Sequence, residues 1–435
     1  MTQRTVIVIG AGAAGLTAAL RAAETGARVT LVNAHPKPGL KILMSGGTRC
    51  NVTHRVVDER DFHGGSRHVV ARILRAFPVD ATLAWFESEL GVPLKLEATG
   101  KYFPVSDDAQ TVLDALLAAC ARAGVETRLG ERIVRLVRGR DTWRAGVQRV
   151  ADAAALGVGV SPSGQVEWAL PSEAPEAWLE ADAVVLATGG LSFPRTGSDG
   201  SGYALARSLG HTLTPPVPAL TPLSSNDTLR IGAQGVTIEA ELTLWVDGKR
   251  AARSRGSLLF AHFGLTGPAA LDLSRHWNAA EGHLRRVTMS LSPGTDERGF
   301  ETEWQSFATE NPRRGVRTWL GDWLPARIAD IVTAESGVGG AAMSQVPRER
   351  RVALMKALLE RDARVSGTLG YEKAEVTAGG VTLSEVNAST LESRLAPGLW
   401  LCGEVLDVEG RLGGFNFQWA WSSGTVAGKS AGSGS

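Results

Sequence analysis

Apolar residues fall into three rhythms along this 435-residue chain. The first is the short unbroken run: Val6 to Ile9, Ala183 to Ala187 and Leu399 to Cys402, with Val29 to Val32 as a like run broken only by Thr30. Such runs predict parallel strands buried on both faces. The second is alternation. Val236, Ile238, Ala240, Leu242, Leu244 and Val246 alternate up to the turn Asp247-Gly248, and Val287, Met289 and Leu291 alternate again, which predicts half-buried strands. The third is helical spacing. It runs from Leu16 to Ala23 with a stop at Gly26, over about 108–123, through Trp304, Trp319 and Trp323, and through Val352, Met355 and Leu359. A last helix is predicted from about Asn416 to Val426, and "YFPV" at 102–105 reads as a strand.

The order of these rhythms predicts an α/β protein with a discontinuous Rossmann-like domain of the two-dinucleotide-binding type. Its parts are residues 1–195, which run on through a segment at 95–170, and 375–435. Residues 196–374 form an inserted lobe, β-rich over 212–297 and 362–374, with a helical subdomain nested at 298–361. The tryptophans of that subdomain read as core packing rather than as the lining of a site. The closing "SAGSGS" reads as a disordered tail. No internal repeat is present.

Between the first two runs stands "GAGAAG", with Gly10, Gly12 and Gly15 in G-x-G-x-x-G spacing. Each glycine answers a steric need, respectively a tight turn, close approach of backbone to a pyrophosphate, and close packing of helix on strand. The helix that follows would aim free N–H groups at the phosphates. The second strand of such a unit usually ends in an acid that grips the ribose. Here the position holds Asn33. An amide still accepts a hydroxyl proton, more weakly than a carboxylate, and it does not repel a 2′-phosphate. Taken alone, the motif leaves NADP and FAD both open.

Three distant glycine-rich stretches bear on that choice: "KILMSGGTRCNVTH" (41–54), "ADAVVLATGGLSFPRTGSDGSGYALARSLGH" (181–211) and "LWLCGEVLDVEGRLGGFNFQWAWSSGTVAG" (399–428). The second ends a strand at Thr188-Gly189-Gly190, where small residues let backbone approach a ligand. The third runs from a strand through Gly403-Glu404 and Gly413-Gly414 into a helix. A nicotinamide dehydrogenase does not need its C-terminus to return to the first strand. An extended FAD, held at adenine, pyrophosphate, ribityl and ring, invites that return. A helix N-terminus at the ring stabilises the negative charge that builds on the N1–C2=O side upon reduction.

These stretches resemble the motifs of bacterial flavoproteins known as NAD(P)/FAD-dependent oxidoreductases of the BaiN/RdsA type, some of them aminoacetone-oxidase-like. That family's patterns look like "SGGGRCNVTN", "TGG-S-P-TGS-GDGY", "LLFTH-GISGPA-LDLS", "KAEVTAGGV" and "GEVLDVDG-CGGYNFQWAWSSG". The chain carries "SGGTRCNVTH", "TGGLSFPRTGSDGSGY", "LLFAHFGLTGPAALDLS", "KAEVTAGGV" and "GEVLDVEGRLGGFNFQWAWSSG", spread over residues 6 to 428. Three departures stand out: Asn33 for the acid, Thr48 for a glycine, and Leu412 for a small residue or Cys.

The resemblance implies a tightly but non-covalently bound FAD, and an oxidoreductase that takes electrons transiently from NAD(P)H, since no second G-x-G-x-x-G follows a strand. Its implied contacts are Gly10, Gly12, Ala14, Gly15 and Asn33; Lys41; the loop Ser45, Gly46, Gly47, Thr48, Arg49, Cys50 and Asn51; Thr188, Gly189 and Gly190; and Gly403, Glu404, Gly413, Gly414, Phe415 and Asn416. Within these, Glu404 suits ribityl hydroxyls, and Gly413 to Asn416 suit the N1–O2 side of the ring. Arg49 suits either a phosphate or a surface ion pair. Cys50 and Cys402 read as small packed residues rather than redox thiols.

Composition adds limits. A net charge of +1 gives no general nucleic-acid binder, so the expected partner is a small molecule and not a nucleic acid. No apolar run approaches the ~20 residues of a membrane span. Three scattered cysteines give neither a disulfide framework nor a metal site, and with no signal-peptide layout at the start the expected compartment is the cytoplasm. The expected chemistry is reduction of an activated C=C bond in a small apolar molecule. Substrate-side candidates are His262 as general acid, Tyr102, Arg195 and Arg411. Oxidation of a small amine, and a redox or interaction module serving RNA or a protein, remain as alternatives. "SGTVAGKS" at 423–430 is not a phosphate loop: its first required glycine is Ser423, and it ends a helix rather than opening one.

Overall fold

The computed structural model describes residues 3–150, 159–160, 166–167 and 174–434. Residues 151–158, 161–165 and 168–170 of the segment expected at 95–170 lie outside the described residues. Two compact units emerge, residues 1–217 with 375–435, and residues 218–374. The first thus reaches beyond the expected boundary at 195. One reason is Gly202, on the helix Ser201–Ser208, which lies so close to the strand end that a methyl group there would meet Thr188 Oγ1 at 1.8 Å.

Chain order in the first unit begins β1 (Thr5–Ile9), α1 (Ala13–Glu24), β2 (Arg28–Asn33) and α2 (Leu40–Met44). There follow β3 (Thr53–His54), β4 (Leu94–Leu96), β5 (Lys101–Pro104), α3 (Ala109–Arg122), β6 (Glu126–Leu129) and β7 (Ala183–Leu186). Asp108 caps α3 by accepting from the Gln110 N–H.

The second unit comprises β8 (Leu223–Ser225), β9 (Thr237–Val246), β10 (Lys249–Ala261), β11 (Gly264–Thr266), α4 (Pro268–Ala279) and β12 (Arg285–Ser290). Four helices come next: α5 (Glu297–Glu310), α6 (Val316–Leu320), α7 (Ala326–Glu335) and α8 (Arg348–Leu359). Strands β13 (Arg361–Asp362) and β14 (Val365–Thr368) close it. The strands form one antiparallel sheet in the order β13-β12-β9-β10-β11-β8-β14. Ile238, Ala240, Leu242 and Leu244 point to a single core with Trp304 and Trp319, whose rings meet edge-on at 5.5 Å. Those two tryptophans are packing residues, while Trp323 is 39% exposed. Arg361 ties the sheet to α7. Burial disfavours its charge, but bonds to Asp227 and Glu335, each as close as 2.6 Å, outweigh that and raise its pKa.

The chain then returns to the first unit with β15 (Val376–Val381), β16 (Leu399–Leu401) and α9 (Phe415–Ser433). Its main sheet is parallel and runs β16-β7-β1-β2-β6, so the strand from the far end of the sequence pairs with β7. Helix α9 extends to Ser433, into the segment expected to be disordered. The reason is packing. Methyl groups on Gly424, Gly428 and Gly432 would lie 2.6, 2.3 and 2.8 Å from the carbonyl oxygens of Ala14, Ala18 and Ala22. One glycine per turn lets α9 lie against the backbone of α1, where Cα–H···O contacts add to dispersion. The small residues at the C-terminus are thus interface residues in the described part of the tail.

Candidate functional site

Strands β1, β7 and β16 of the main sheet run into glycine turns, and in the first of these turns each glycine has its own cause. Gly10 has φ +105°, and a methyl there would strike the Ala187 oxygen at 2.4 Å. Gly15 lets α1 press on the turn, since its methyl would lie 1.7 Å from the Gly10 oxygen. Gly12 differs. Its backbone is extended, at φ −86° and ψ −172°, and a methyl there would meet no atom within 4 Å. Internal packing does not require that glycine, whereas a ligand lying on the backbone would. It also stands as the N-cap of α1 with no side-chain capping bond, leaving the first N–H groups of the helix facing outward.

Asn33 is already engaged. Its Oδ1 accepts the Ala11 N–H at 2.9 Å and its Nδ2 donates to the His35 oxygen at 2.7 Å. A carboxylate could make the first bond but not the second. The amide therefore braces the glycine turn, which accounts for the departure from an acid.

A polar knot ties together the middle of the site. Lys41 Nζ donates to Glu404 Oε2 at 2.6 Å and to Ser192 Oγ at 2.7 Å. Glu404 Oε1 also accepts from Ser192 Oγ at 2.9 Å and from the Thr377 N–H at 2.8 Å. Thr377 Oγ1 in turn accepts the N–H groups of Leu191 and Ser192 at 2.7 and 3.1 Å. Four glycine-rich segments are locked through one carboxylate. Glu404 therefore spends most of its accepting capacity inside the protein. Ser192 and Thr377 were absent from the sequence-based set, although both lie within the motifs "TGGLS" and "KAEVTAGG".

The remaining corner is built on the small sheet β3-β5-β4. Gly46, Gly47, Thr48 and Cys50 all have positive φ, from 56° to 68°, and the Cys50 N–H closes the loop on the Ser45 oxygen at 3.1 Å. Thr48 and Cys50 are the costly members, being left-handed without being glycine. Phe103 supports the loop, its ring 3.0 Å from a methyl built on Gly46. Asn51 joins the two chain ends. Its backbone nitrogen lies 2.9 Å from that same methyl position. With its side-chain amide assigned the orientation that satisfies its neighbours, Asn51 accepts the Gly414 N–H at 3.0 Å and donates to the Thr53 and Tyr102 oxygens at 3.0 and 3.3 Å. The Gly46 loop and the start of α9 thus meet across one asparagine, and His54 stacks on Phe415 with ring centres 4.9 Å apart.

The family model for the HI0933-like protein Rossmann domain matches residues 4–430. The chain belongs to the HI0933-like family. The BaiN/RdsA-type resemblance of its motifs is this kinship, and it places the chain among enzymes that are FAD-dependent oxidoreductases. The 3-dehydro-bile acid delta(4,6)-reductase of Clostridium scindens is 32% identical over 429 residues, covering 98% of each chain. The ribosomal RNA dihydrouridine synthase of Escherichia coli K12 is 31% identical over 434 residues, covering 97% of this chain and 96% of that one. The protein of the same name from Haemophilus influenzae is 29% identical over 419 residues, covering 96% of both.

In this HI0933-like chain the other expected residues fall as follows. Arg49 is held by Glu97 at 2.7 Å and Asp107 at 3.4 Å, and lies 4.0 Å above the Phe103 ring. It thus makes the ion pair of its two readings. Arg411 pairs with Asp61 at 2.7 Å and lies 4.1 Å over Phe415. Tyr102 stands opposite Thr53, on the face of the small sheet away from Lys101 and Phe103. Arg195 is exposed and follows the strained Phe193, at φ 49°. His262 is exposed in the second unit, edge-on to Phe263, and its carbonyl accepts from Arg230. Ala14 is buried on α1 beside Gly403, whose methyl would meet it at 2.7 Å. Burial pushes the Cys50 and Cys402 thiols up to about 12, as inert packing residues. Among the described residues no cluster of His, Cys, Asp and Glu could hold a metal ion, and no helix is long and apolar enough to cross a membrane.

Proposed function

We propose that the chain is an FAD-dependent reductase of carbon–carbon double bonds conjugated to a carbonyl, with NAD(P)H as the electron donor. The observation that carries this is the joining of the Gly46 loop and the Gly413-Gly414 turn through Asn51, with Gly12 open at the other end. Together they fit an extended cofactor: a bare backbone for the pyrophosphate at Gly12, and N–H-bearing loops for the ring at Gly46, Gly47 and Gly413. Bound there, the flavin supplies hydride from N5. The Lys41–Glu404–Ser192–Thr377 knot holds the loops in register, and the N-terminus of α9 would offer positive potential to the charge that a bound flavin gains on reduction. Arg195 and His262 remain candidates for the substrate side.

Both kinds of relative support the bond type. A bile acid delta(4,6)-reductase is named for C=C reduction, and dihydrouridine differs from uridine by reduction of a C=C bond conjugated to a carbonyl. A small apolar enone is the leading substrate. A uracil base within ribosomal RNA is the second reading, favoured by the 31% identity to the dihydrouridine synthase over nearly the whole chain. A net charge near zero argues against a general RNA binder but not against a local contact.

The test is anaerobic. FAD-loaded protein is mixed with NADH or NADPH and the visible flavin band is followed. An enone or an unmodified ribosomal RNA transcript is then added. Bleaching by a nucleotide and recovery on one acceptor are expected. Bleaching by neither nucleotide would refute the donor, and bleaching by an amine would favour the oxidase alternative.

A further inference from the structure

We propose that Lys101 is the positioning charge that makes the bound flavin easier to reduce; this rests on the FAD reading above. Sheet geometry puts Lys101 in place. It stands opposite His54 across β3 and β5, and two residues from Phe103, so all three side chains share one face. That face carries both ring-end loops. Phe103 lies beneath Gly46, His54 stacks on Phe415, and Lys101 Cε lies 3.6 Å from a methyl built on Gly413. The end of the Lys101 side chain thus lies beside Gly413, one residue before Gly414, the N-cap of the 19-residue α9.

Its neighbours differ in one respect. Arg49 is matched by Glu97 and Asp107, Lys95 by Asp107, and Arg411 by Asp61. Lys101 is half-buried, and among the described residues no carboxylate pairs with it. A partly desolvated cation with no counter-ion gains most from a negative charge that arrives next to it. Two electrons and one proton added to a flavin leave one negative charge, on its N1–C2=O side. Lys101 would stabilise that charge while contributing little to binding of the neutral, oxidised form. The matched cations nearby are neutralised and would contribute less.

The experiment uses full-length wild type, Lys101→Met and Lys101→Arg, each stripped and reloaded with FAD. Midpoint potentials are measured anaerobically with xanthine and xanthine oxidase as reductant, and affinities are measured for oxidised FAD and for sulfite, whose adduct carries charge at the same edge. Lys101→Met should make reduction about tenfold less favourable, ~30 mV for a two-electron couple. It should weaken sulfite binding about tenfold, with oxidised FAD affinity unchanged and Lys101→Arg restoring both properties. A Lys101→Met protein with wild-type potential and sulfite affinity would overturn this inference alone. Equal loss of affinity for oxidised and reduced FAD would mark a binding role and overturn it too. Wild-type protein that takes up no FAD would instead sink the cofactor reading on which it rests.

Discussion

Replacing Gly12 and Gly15 in turn by Ala adds the same methyl group three residues apart and should give opposite results. At Gly12 the backbone is one that Ala adopts freely, and the methyl meets nothing within 4 Å. Lower chain entropy in the unfolded state favours Ala by ~0.4–1 kcal/mol. Loss of a glycine N-cap to Ala costs about the same. Stability of the flavin-free protein should therefore change by less than about 1 kcal/mol. Binding should not survive so well. A methyl in contact with a phosphate oxygen holds it roughly 3.5–4 Å away, which breaks at least one charge-assisted bond from the backbone. Such a bond is worth about 1.5–3 kcal/mol, so FAD affinity should fall about tenfold to a hundredfold. At Gly15 the methyl would sit 1.7 Å from the Gly10 oxygen, and α1 would have to move bodily. The cost there should be about 3 kcal/mol or more. Chemical denaturation of the flavin-free variants, with FAD titration followed by fluorescence quenching, measures both. A Gly12→Ala protein that binds FAD like wild type, or one that loses as much stability as Gly15→Ala, would refute the assignment of the open side of this turn to a ligand.

Other outcomes follow from the same geometry. Thr48→Gly removes a left-handed threonine at φ 68° and should raise stability by about 1 kcal/mol in thermal unfolding; a loss would show that the Thr48 side chain is needed. Gly428→Ala should destabilise by about 1–3 kcal/mol although Ala is the better helix former, because its methyl falls 2.3 Å from the Ala18 oxygen; a gain of ~1 kcal/mol would mean that α9 does not press on α1. Cys50, Cys120 and Cys402, each pushed up to about 12 by burial, should resist iodoacetamide at pH 8 in native protein and react fully once unfolded, as mass spectrometry would show. The Thr5 backbone N–H holds Asp182 below the usual carboxylate range. Its contribution to stability is therefore full above the unfolded value of ~3.9 and lost as pH falls through the lower folded value. Asp182→Asn should flatten that acid limb in a pH series of unfolding curves, and an unchanged limb would assign it to other carboxylates.

Much of the parallel sheet was legible because its demands are local. An unbroken apolar run followed by glycine needs few distant facts to be read as a buried strand and a turn, and β1, β7 and β16 follow from that, with β2 placed by its distance from the glycine turn. The side-chain partners were not legible in the same way. Arg49 and Arg411 find carboxylates at Glu97, Asp107 and Asp61, brought near by the small sheet and the turns around it, which no local pattern announces. Asn33 was read as a weaker ribose contact in the place of an acid, and no local pattern announced that the turn itself supplies a donor at Ala11 and an acceptor at His35. Small residues mislead most. Glycine and serine at the C-terminus have the composition of a linker, and only the contact of α9 with α1 shows that they are what a close helix pair requires. Ser192 and Thr377 went unmarked because a hydroxyl gains its meaning from the carboxylate it reaches, and Glu404 is remote from both in the chain.

The most direct measurement is an equilibrium titration of flavin-stripped, full-length protein with FAD, read by the resolution of the visible band and by calorimetric stoichiometry. One FAD per chain is expected, with affinity that collapses when Asn51, the residue joining the two glycine loops, is changed to Ala. Protein that stays colourless in excess FAD, or an Asn51→Ala variant that binds as tightly as the parent, would contradict the claim that both ends of the chain build one cofactor cradle.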